Sequence, residues 1–339
     1  MNGDWLLRGR DGRLSVYQLS DDSVLCRAET VPSGTWDAPR RVGGDQKLHR
    51  VLAVGQGDDR YAHLVSWRPT VRGESGLVHS THFRPALAAL DWTPIGHPNK
   101  NGKVTGVPAV AVDAQGRAHV FVRNKGGGLS MVAQKEKGGW DPWRDLKGRE
   151  LHDDLVAVTT RAGLVEAYGT VPGGIVCWRQ PKAGARPVPD DSLRIPVRPG
   201  TLRALATSDE HVTVFFGDEH GNLCAWRSGG KPRVLLPAVG PGPVAAVGCE
   251  LDGHPCTLLA QRAAGSGRVA FAAYPAEEES AGAWWTESGD AVGADAEVAL
   301  AEDEAGRVVA ATLSPATGEL RVTRRKAEAG LALEAWRTF

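Results

Sequence analysis

A segment of about 48 residues recurs along the whole chain, and one complete copy lies between Val107 and Trp143. Four short apolar segments can be read in this copy, and the connections between them carry Asp113, Gly116 and two glycine clusters. Tight hairpin turns require such residues. The copy therefore predicts a four-stranded antiparallel meander. Its strands are expected at Pro108 to Val112, Ala118 to Val122, Leu129 to Gln134 and Trp140 to Leu146.

Three positions of this unit recur in the other copies. A glycine opens the third strand, a tryptophan occurs in the fourth strand, and an alanine stands at the centre of the first strand. One such sheet cannot bury both of its faces, so copies of it are expected to stack. The glycines are Gly76, Gly128, Gly174, Gly221, Gly267 and Gly318, the tryptophans are Trp36, Trp92, Trp140, Trp284 and Trp336, and the alanines are Ala53, Ala111, Ala157, Ala204, Ala246 and Ala299.

Seven such units account for all 339 residues. We therefore predict an all-β protein, a single seven-bladed β-propeller domain of four-stranded antiparallel blades with almost no helix. The central alanines fit this fold, because the innermost strands converge on the axis and leave little room there. The first unit is expected to pack on the seventh without an exchanged strand. The predicted blades are residues 1–49, 50–99, 100–150, 151–200, 201–242, 243–291 and 292–339.

Composition narrows the range of partners. The chain has 40 basic and 40 acidic residues and no basic run interleaved with aromatic residues, which argues against a nucleic acid or an anionic membrane as partner. Five cysteines are an odd number, so a disulfide framework is not expected. No signal-peptide or membrane-span pattern is evident, and we expect a cytoplasmic protein. No motif indicates a cofactor or a metal.

The sequence PAVAVDAQGRAHVFVR from Pro108, followed by GGGLSMVAQ and GGWDPW, resembles the repeat of the PLL-like family of seven-bladed propeller lectins. The resemblance extends over all seven units with decreasing quality. It implies a seven-bladed propeller. It also implies that fucose-type or O-methylated sugars bind in pockets between the blades.

Tryptophans that fall off the common fourth-strand position are the candidates for a sugar platform. A flat apolar ring complements the C–H face of a pyranose, but buried tryptophan is also a common packing residue. Both interpretations remain open for these side chains, whereas the five recurrent tryptophans are expected to pack inside their blades. The candidates are Trp67, Trp143, Trp178, Trp226 and Trp285.

Polar residues cluster in loops predicted to surround one mouth of the central channel. An imidazole beside carboxylates can act as a general acid and base, and His152, Asp153 and Asp154, with His49, are the catalytic candidates. A solvated loop is the alternative. Ligand contacts at this mouth are predicted for Arg50, His97, Arg198, His220 and Arg262, with Lys100 and Asp218 nearby, and the opposite mouth is predicted to carry Gln56, Asp113, Thr159, Thr207 and Glu302.

Two functions from different classes follow. The first is a lectin-like module that binds a carbohydrate or another small ligand. The second is a cofactor-independent enzyme of specialised metabolism, a cyclase, lyase or isomerase, with one site at the mouth of the channel. The turns at Asp113 to Gly116 and Asp218 to Gly221 lack the alternating oxygen ligands of a calcium loop, and hairpin chemistry accounts for them.

Overall fold

The computed structural model describes residues 1–44, 46–69 and 74–339, and only the backbone of Arg50. These residues form seven antiparallel sheets arranged as a seven-bladed β-propeller, which confirms the predicted fold. Every first strand runs from a front face, which carries the loops entering the first and third strands, to a back face, which carries the other hairpin loops. Blade 1 contains β2 (Leu6–Arg8), β3 (Leu14–Ser20), β4 (Ser23–Ala28) and β5 (Arg40–Arg41); blade 2 contains β6 (His49–Gln56), β7 (Ala62–Pro69), β8 (Ser75–His82) and β9 (Thr93–Gly96); blade 3 contains β10 (Ala109–Val112), β11 (Ala118–Arg123), β12 (Leu129–Ala133) and β13 (Arg144–Lys147).

The other four sheets follow the same pattern. Two 3₁₀ turns, Gly102–Val104 and Glu279–Ala281, are the helical elements of the described residues. Blade 4 contains β14 (Val156–Thr159), β15 (Val165–Val171), β16 (Gly174–Arg179) and β17 (Val188–Leu193); blade 5 contains β18 (Arg203–Ala206), β19 (Val212–Gly217), β20 (Asn222–Trp226) and β21 (Arg233–Pro237); blade 6 contains β22 (Ala245–Leu251), β23 (His254–Arg262), β24 (Val269–Pro275) and β25 (Thr286–Ser288); blade 7 contains β26 (Glu297–Glu302), β27 (Val308–Leu313), β28 (Leu320–Arg324) and β29 (Arg337–Thr338).

A hydrophobic core lies between each pair of neighbouring blades. In the core between blades 3 and 4, for example, Phe121 and Met131 pack with Leu155 and Trp178. The core between blades 7 and 1 closes the ring, with Val309 of blade 7 beside Leu14 of blade 1. Inner strands are buried on both faces, so their apolar residues do not alternate with polar ones.

Two details of the strands differ from the prediction. The short strand β1 (Asn2–Gly3) pairs in parallel with β6, so blade 2 has a fifth, innermost strand. The fourth strand of blade 3 begins at Arg144, and Trp140 makes only an isolated bridge to Gln134. Fourth strands lie at the rim of a propeller, where few neighbours hold them to regular pairing, and their pattern is correspondingly weak in the sequence.

Hydrogen bonds from tryptophan indoles link successive blades. Trp143 of blade 3 donates its indole N–H to the Ile95 carbonyl of blade 2 over 2.8 Å, and Trp285 of blade 6 donates to the Pro237 carbonyl of blade 5 over 2.7 Å. Because each acceptor lies in the fourth strand of the preceding blade, the indoles join the outer ends of neighbouring sheets. Further donors of this kind are Trp92 to Val42, Trp178 to Leu146, and Trp336 to the Ser288 hydroxyl.

For three of the irregular tryptophans the structure supports the packing interpretation, and one of the recurrent tryptophans differs from its prediction. Trp67, Trp178 and Trp226 were candidates for a sugar platform, but their side chains are at most 2% exposed because they fill the cores between blades. Trp284 was expected to pack inside blade 6 and is 76% exposed, while its neighbour Trp285 makes the contact to blade 5. The repeat was therefore displaced by one residue in this blade.

Replacing Trp143 with Phe should destabilise the protein by about 1 kcal/mol, because the Ile95 carbonyl loses its donor. The matched Trp284→Phe change should have almost no effect, since this side chain is exposed. Urea unfolding of both variants measures the difference. Equal losses of stability would contradict the role assigned to the Trp143 indole.

All five cysteines are buried thiols that lie in strands. Burial raises the pKa of Cys26, Cys224 and Cys249 to about 12. These thiols are therefore protonated and act as small apolar side chains. Within the described ranges, no helix has the length and apolar character needed to cross a membrane.

Candidate functional site

A cavity of about 580 Å³ lies on the propeller axis. Its wall is built mainly from the first strands, and Ala111, Ala157, Ala204 and Ala299 are among its lining residues. The small side chains at these positions keep the channel open, which is the physical consequence of the alanine repeat. Its volume falls in the range of small-molecule sites.

The segment that contains β1 occupies part of this channel. The Asn2 side-chain amide donates to the Pro108 carbonyl over 2.8 Å and to the Leu155 carbonyl over 3.0 Å, and so joins blades 3 and 4 at the front mouth. Asp4 forms an ion pair with Arg203 of blade 5. Much of the front mouth is therefore filled by the protein's own polar contacts.

The predicted catalytic residues of blade 4 are engaged with neighbouring loops. His152 Nδ1 is hydrogen-bonded to the Thr170 hydroxyl over 2.9 Å, and the same hydroxyl donates to Asp154 over 2.8 Å. Asp154 also accepts from the Gly200 N–H, and Asp153 accepts from the Val107 N–H over 2.6 Å. These contacts link the front loops of three successive blades, and they leave both carboxylates committed to the protein itself.

The structure does not bring the four catalytic candidates to a common cavity. His49 lies in blade 2, where its Nε2 is hydrogen-bonded to the Ser75 hydroxyl over 3.2 Å. Neither described cavity is lined by His49, His152, Asp153 or Asp154. Catalysis by these residues stays a prediction of the sequence without geometric support.

The other residues predicted at the front mouth are dispersed. Arg262 lines the axial cavity and donates to the Val292 carbonyl, whereas the imidazole of His220 is exposed beside Glu219. His97 and Arg198 are half-buried in loops away from the axial cavity. The remaining positions are Arg50, whose side chain lies outside the described residues, Lys100, which is exposed, and Asp218, which is buried in its own hairpin.

The back mouth contains some of the residues expected there. Gln56 and Thr159 line the axial cavity, and Glu302 ends β26 at the same face. Asp113 instead faces into its hairpin. Burial raises the pKa of this carboxyl, but hydrogen bonds from His119 and Arg117 outweigh it and hold the pKa well below its usual range.

Thr207, the remaining residue predicted at the back mouth, and the two Asp-x-x-Gly turns make hydrogen bonds within the protein. The Thr207 hydroxyl donates to Glu277 over 2.9 Å. The carboxylates of Asp113 and Asp218 accept backbone N–H groups of their own turns, which is hairpin chemistry. Among the described residues no group of histidine, cysteine and acidic side chains has the arrangement of a metal site.

A second cavity, of about 200 Å³, lies between blades 5 and 6 near the back face. We call it the blade 5–6 pocket. Trp226 and Arg227 reach it from the end of β20, and Glu279 reaches it from the 3₁₀ turn of blade 6. Arg227 holds Glu279 through both guanidinium Nη atoms, with one contact of 2.8 Å. Gly230, Lys231 and Arg233 complete the wall together with Ala225.

The Glu279 carboxylate is almost wholly buried and the Arg227 side chain is about one quarter exposed. Such a bidentate pair has a fixed geometry and presents donors and acceptors side by side. A sugar ring offers adjacent hydroxyls that both donate and accept hydrogen bonds. The volume is below the range of drug-sized pockets and suits a single ring.

Blade 4 carries the same Trp-Arg pair at the end of its third strand, without the pocket. Cys177-Trp178-Arg179 aligns with Ala225-Trp226-Arg227 at the end of the third strand. Arg179, however, pairs with Glu166 and Asp190 of its own blade, and neither described cavity includes it. The blade 5–6 pocket thus depends on Glu279, which lies in an acidic insertion of blade 6, Glu277 to Glu279, and contacts blade 5.

Arg227, Lys231, Arg233 and Glu279 were not among the residues predicted from the sequence. The repeated Trp-Arg pair at the end of the third strand was the available signal for Arg227. Glu279 lay in an acidic insertion whose partner could not be known, because it reaches 52 residues back along the chain.

Proteins with a similar fold are found among the solved structures. No family model and no curated protein matches the chain. Among solved structures, the BP39L lectin from Burkholderia pseudomallei is similar with a TM-score of 0.72 and 14% identity, covering 98% of this chain and 99% of that one. The Aleuria aurantia lectin in complex with Fucα1-6GlcNAc has a TM-score of 0.52 and 14% identity over 85% of this chain and 96% of that one.

A sialidase, Hadza microbial sialidase Hz136, is also similar, with a TM-score of 0.53 and 12% identity over 87% of this chain and 71% of that one. The near-complete mutual coverage with the BP39L lectin defines the class: the chain has the fold of the PLL-like seven-bladed propeller lectins.

Proposed function

We propose that this protein is a lectin-like binding module that holds one carbohydrate ring in the blade 5–6 pocket. The observation that carries the proposal is the bidentate Arg227–Glu279 pair in the wall of the blade 5–6 pocket. The likeness to lectins supports a glycan as the ligand class, and the solved neighbours include a lectin in complex with α-methyl fucoside. A fucoside is therefore the first probe.

The pocket also sets the expected number of sites. Arg227 and Glu279 come from neighbouring blades, and the corresponding arginine of blade 4 pairs within its own blade. A single site is therefore expected, not one between every pair of blades. Titration calorimetry with α-methyl fucoside, guided by a glycan array, should give one site per chain.

Arg227→Met should weaken glycan binding at least about tenfold, because a charge-assisted pair of donors is lost and Glu279 loses its partner. Arg179→Met is the matched control, since this arginine follows Trp178 at the equivalent position outside the pocket. Circular dichroism of both variants separates loss of fold from loss of binding. Absence of binding across the array, or an equal effect of the two substitutions, would refute the proposed site.

A further inference from the structure

Four charged residues meet where first strands leave the channel at the back face. Arg8 ends β2 in blade 1, and Glu302 ends β26 in blade 7. Arg60 and Arg161 lie in the hairpin turns that follow β6 of blade 2 and β14 of blade 4. Because all first strands run in the same direction, these residues surround one mouth of the axial cavity. We call them the back-mouth cluster.

Gln56 fixes two members of the cluster. Its side-chain amide donates to the Arg8 carbonyl over 3.0 Å and to the Arg60 carbonyl over 3.1 Å. Gln56 also lines the axial cavity, so the backbone of both arginines is held next to a residue of the cavity wall. Arg8 makes a further contact through Nη1 to the Asp303 carbonyl over 2.6 Å.

Arg161 reaches across the mouth from blade 4. The Nη2 atom of Arg161 would lie 3.7 Å from a Cβ atom placed on Gly248 of blade 6. The Arg161 side chain therefore extends from blade 4 to blade 6. Its neighbour Thr159 lines the cavity. Arginines from blades 1, 2 and 4 therefore lie around Glu302 at the back mouth.

The charges of this cluster do not balance. Within the described ranges, none of the guanidinium groups of Arg8, Arg60 and Arg161 forms an ion pair, because no carboxylate oxygen lies within 4.0 Å of their nitrogen atoms. Glu302 is the half-buried acid near all three, and Asp58 lies near Arg60. The adjacent Asp303 carboxylate is committed to Arg307.

Burial and the neighbouring arginines act on the pKa of Glu302 in opposite directions. Burial raises the pKa of this carboxyl, and the effect exceeds the opposing influence of Arg8 and Arg60. Three guanidinium groups beside one half-buried carboxylate give the back mouth an excess of positive charge, and such an excess attracts anions. Arginine is also the side chain best suited to planar or tetrahedral oxyanions, because its fork of N–H donors matches two oxygens.

We propose that the back-mouth cluster binds a small oxyanion-bearing molecule, a carboxylic acid or a phosphate ester, whose head group contacts Arg8, Arg60 and Arg161 while its body extends into the axial cavity. This site is separate from the blade 5–6 pocket and takes a ligand of opposite character, charged instead of neutral. The protein thus has an axial ligand in addition to a glycan.

Calorimetry with inorganic phosphate and, separately, with citrate tests the site at low ionic strength. Binding of at least one anion in the millimolar range is expected. Arg60→Met and Arg161→Met should each weaken it about tenfold, while Arg194→Met, at an exposed position of the front face, should leave it unchanged. Phosphate alone would indicate phosphate esters as ligands, and citrate alone would indicate carboxylic acids.

Glu302→Gln adds a test with the opposite sign. Removing the central negative charge should tighten anion binding, an effect that a structural defect would not produce. No binding of either anion at about 10 mM, or binding that is indifferent to Arg60→Met, Arg161→Met and Glu302→Gln, would overturn the proposal. Because glycan binding is measured separately, either site can fail without the other.

Discussion

Replacing Arg324 with Met should lower the free energy of unfolding by about 3–5 kcal/mol at neutral pH. Arg324 of blade 7 is paired with Glu29 of blade 1, and the two residues are 295 positions apart in the chain. The Glu29 side chain has no exposed surface, and that of Arg324 is only 10% exposed. The pair lies at the interface that closes the ring, so its loss acts on all seven blades together.

The large effect comes from the charge left behind. Glu29 Oε2 accepts the N–H groups of Leu14 at 2.9 Å and Ser33 at 3.2 Å, but Arg324 is its paired cation. Burial already raises the pKa of Glu29 despite this cation. The intact pair therefore adds little net stability, whereas a buried carboxylate without its cation is strongly unfavourable.

Two comparisons distinguish this mechanism from a simple packing defect. Arg321→Met removes a partly exposed pair with Glu319 and should cost less than about 1 kcal/mol. Adding Glu29→Gln to Arg324→Met should restore most of the lost stability. The deficit of the single variant should also shrink as the pH falls, because the folded state then binds a proton on Glu29 more readily than the unfolded state. A deficit that is independent of pH and of Glu29 would contradict this account.

The second large effect is a loss of stability in mild acid caused by His63 and His79. The two imidazoles are buried in blade 2, with His63 Nδ1 hydrogen-bonded to His79 Nε2 over 3.0 Å. Burial lowers the pKa of His63 to about 4, and burial together with His63 lowers the pKa of His79 to about 3. Both rings are therefore neutral in the folded protein at physiological pH.

The direction in which stability changes with pH follows from proton uptake by the two histidines. Below pH of about 6.5 the unfolded chain binds protons at these histidines and the folded protein does not, so stability falls as the pH falls. Each pH unit costs about 1.4 kcal/mol per histidine until the folded-state pKa is reached. Between pH 6.5 and pH 4.5 the two residues together account for roughly 3–5 kcal/mol.

Urea unfolding at several pH values measures this slope. The double variant His63→Gln, His79→Gln keeps polar groups in place without a titrating ring and should flatten the slope between pH 6.5 and pH 4.5. His220→Gln is the control, since its exposed ring should have no such influence. An unchanged slope in the double variant would show that other groups govern acid unfolding.

The back-mouth cluster and the blade 5–6 pocket differ in how far they could be foreseen. Gln56, Thr159 and Glu302 were placed at the back mouth from the direction of the first strands, and the structure places all three at that face. The arginines were not foreseen. Arg60 and Arg161 occupy hairpin turns, where a charged residue normally indicates solvent exposure alone.

The burial of the tryptophans could not be predicted from the sequence either. Their sequence positions separated regular from irregular tryptophans, but this did not separate packing residues from exposed ones. Trp67 and Trp178 lie in cores, while Trp284, from the regular set, is exposed. Whether an indole is covered depends on the neighbouring blade, and the periodicity within one blade carries no information about that neighbour.

The sequence by itself determined the number of blades, the hairpin turns and the open axis, because these depend on contacts between residues a few positions apart and on a repeat of about 48 residues. The tertiary structure decided which charged groups meet. Arg227 pairs with Glu279 over 52 positions and Arg324 pairs with Glu29 over 295. Such pairs form only when separate blades pack side by side, so their chemistry has no signature in the local sequence.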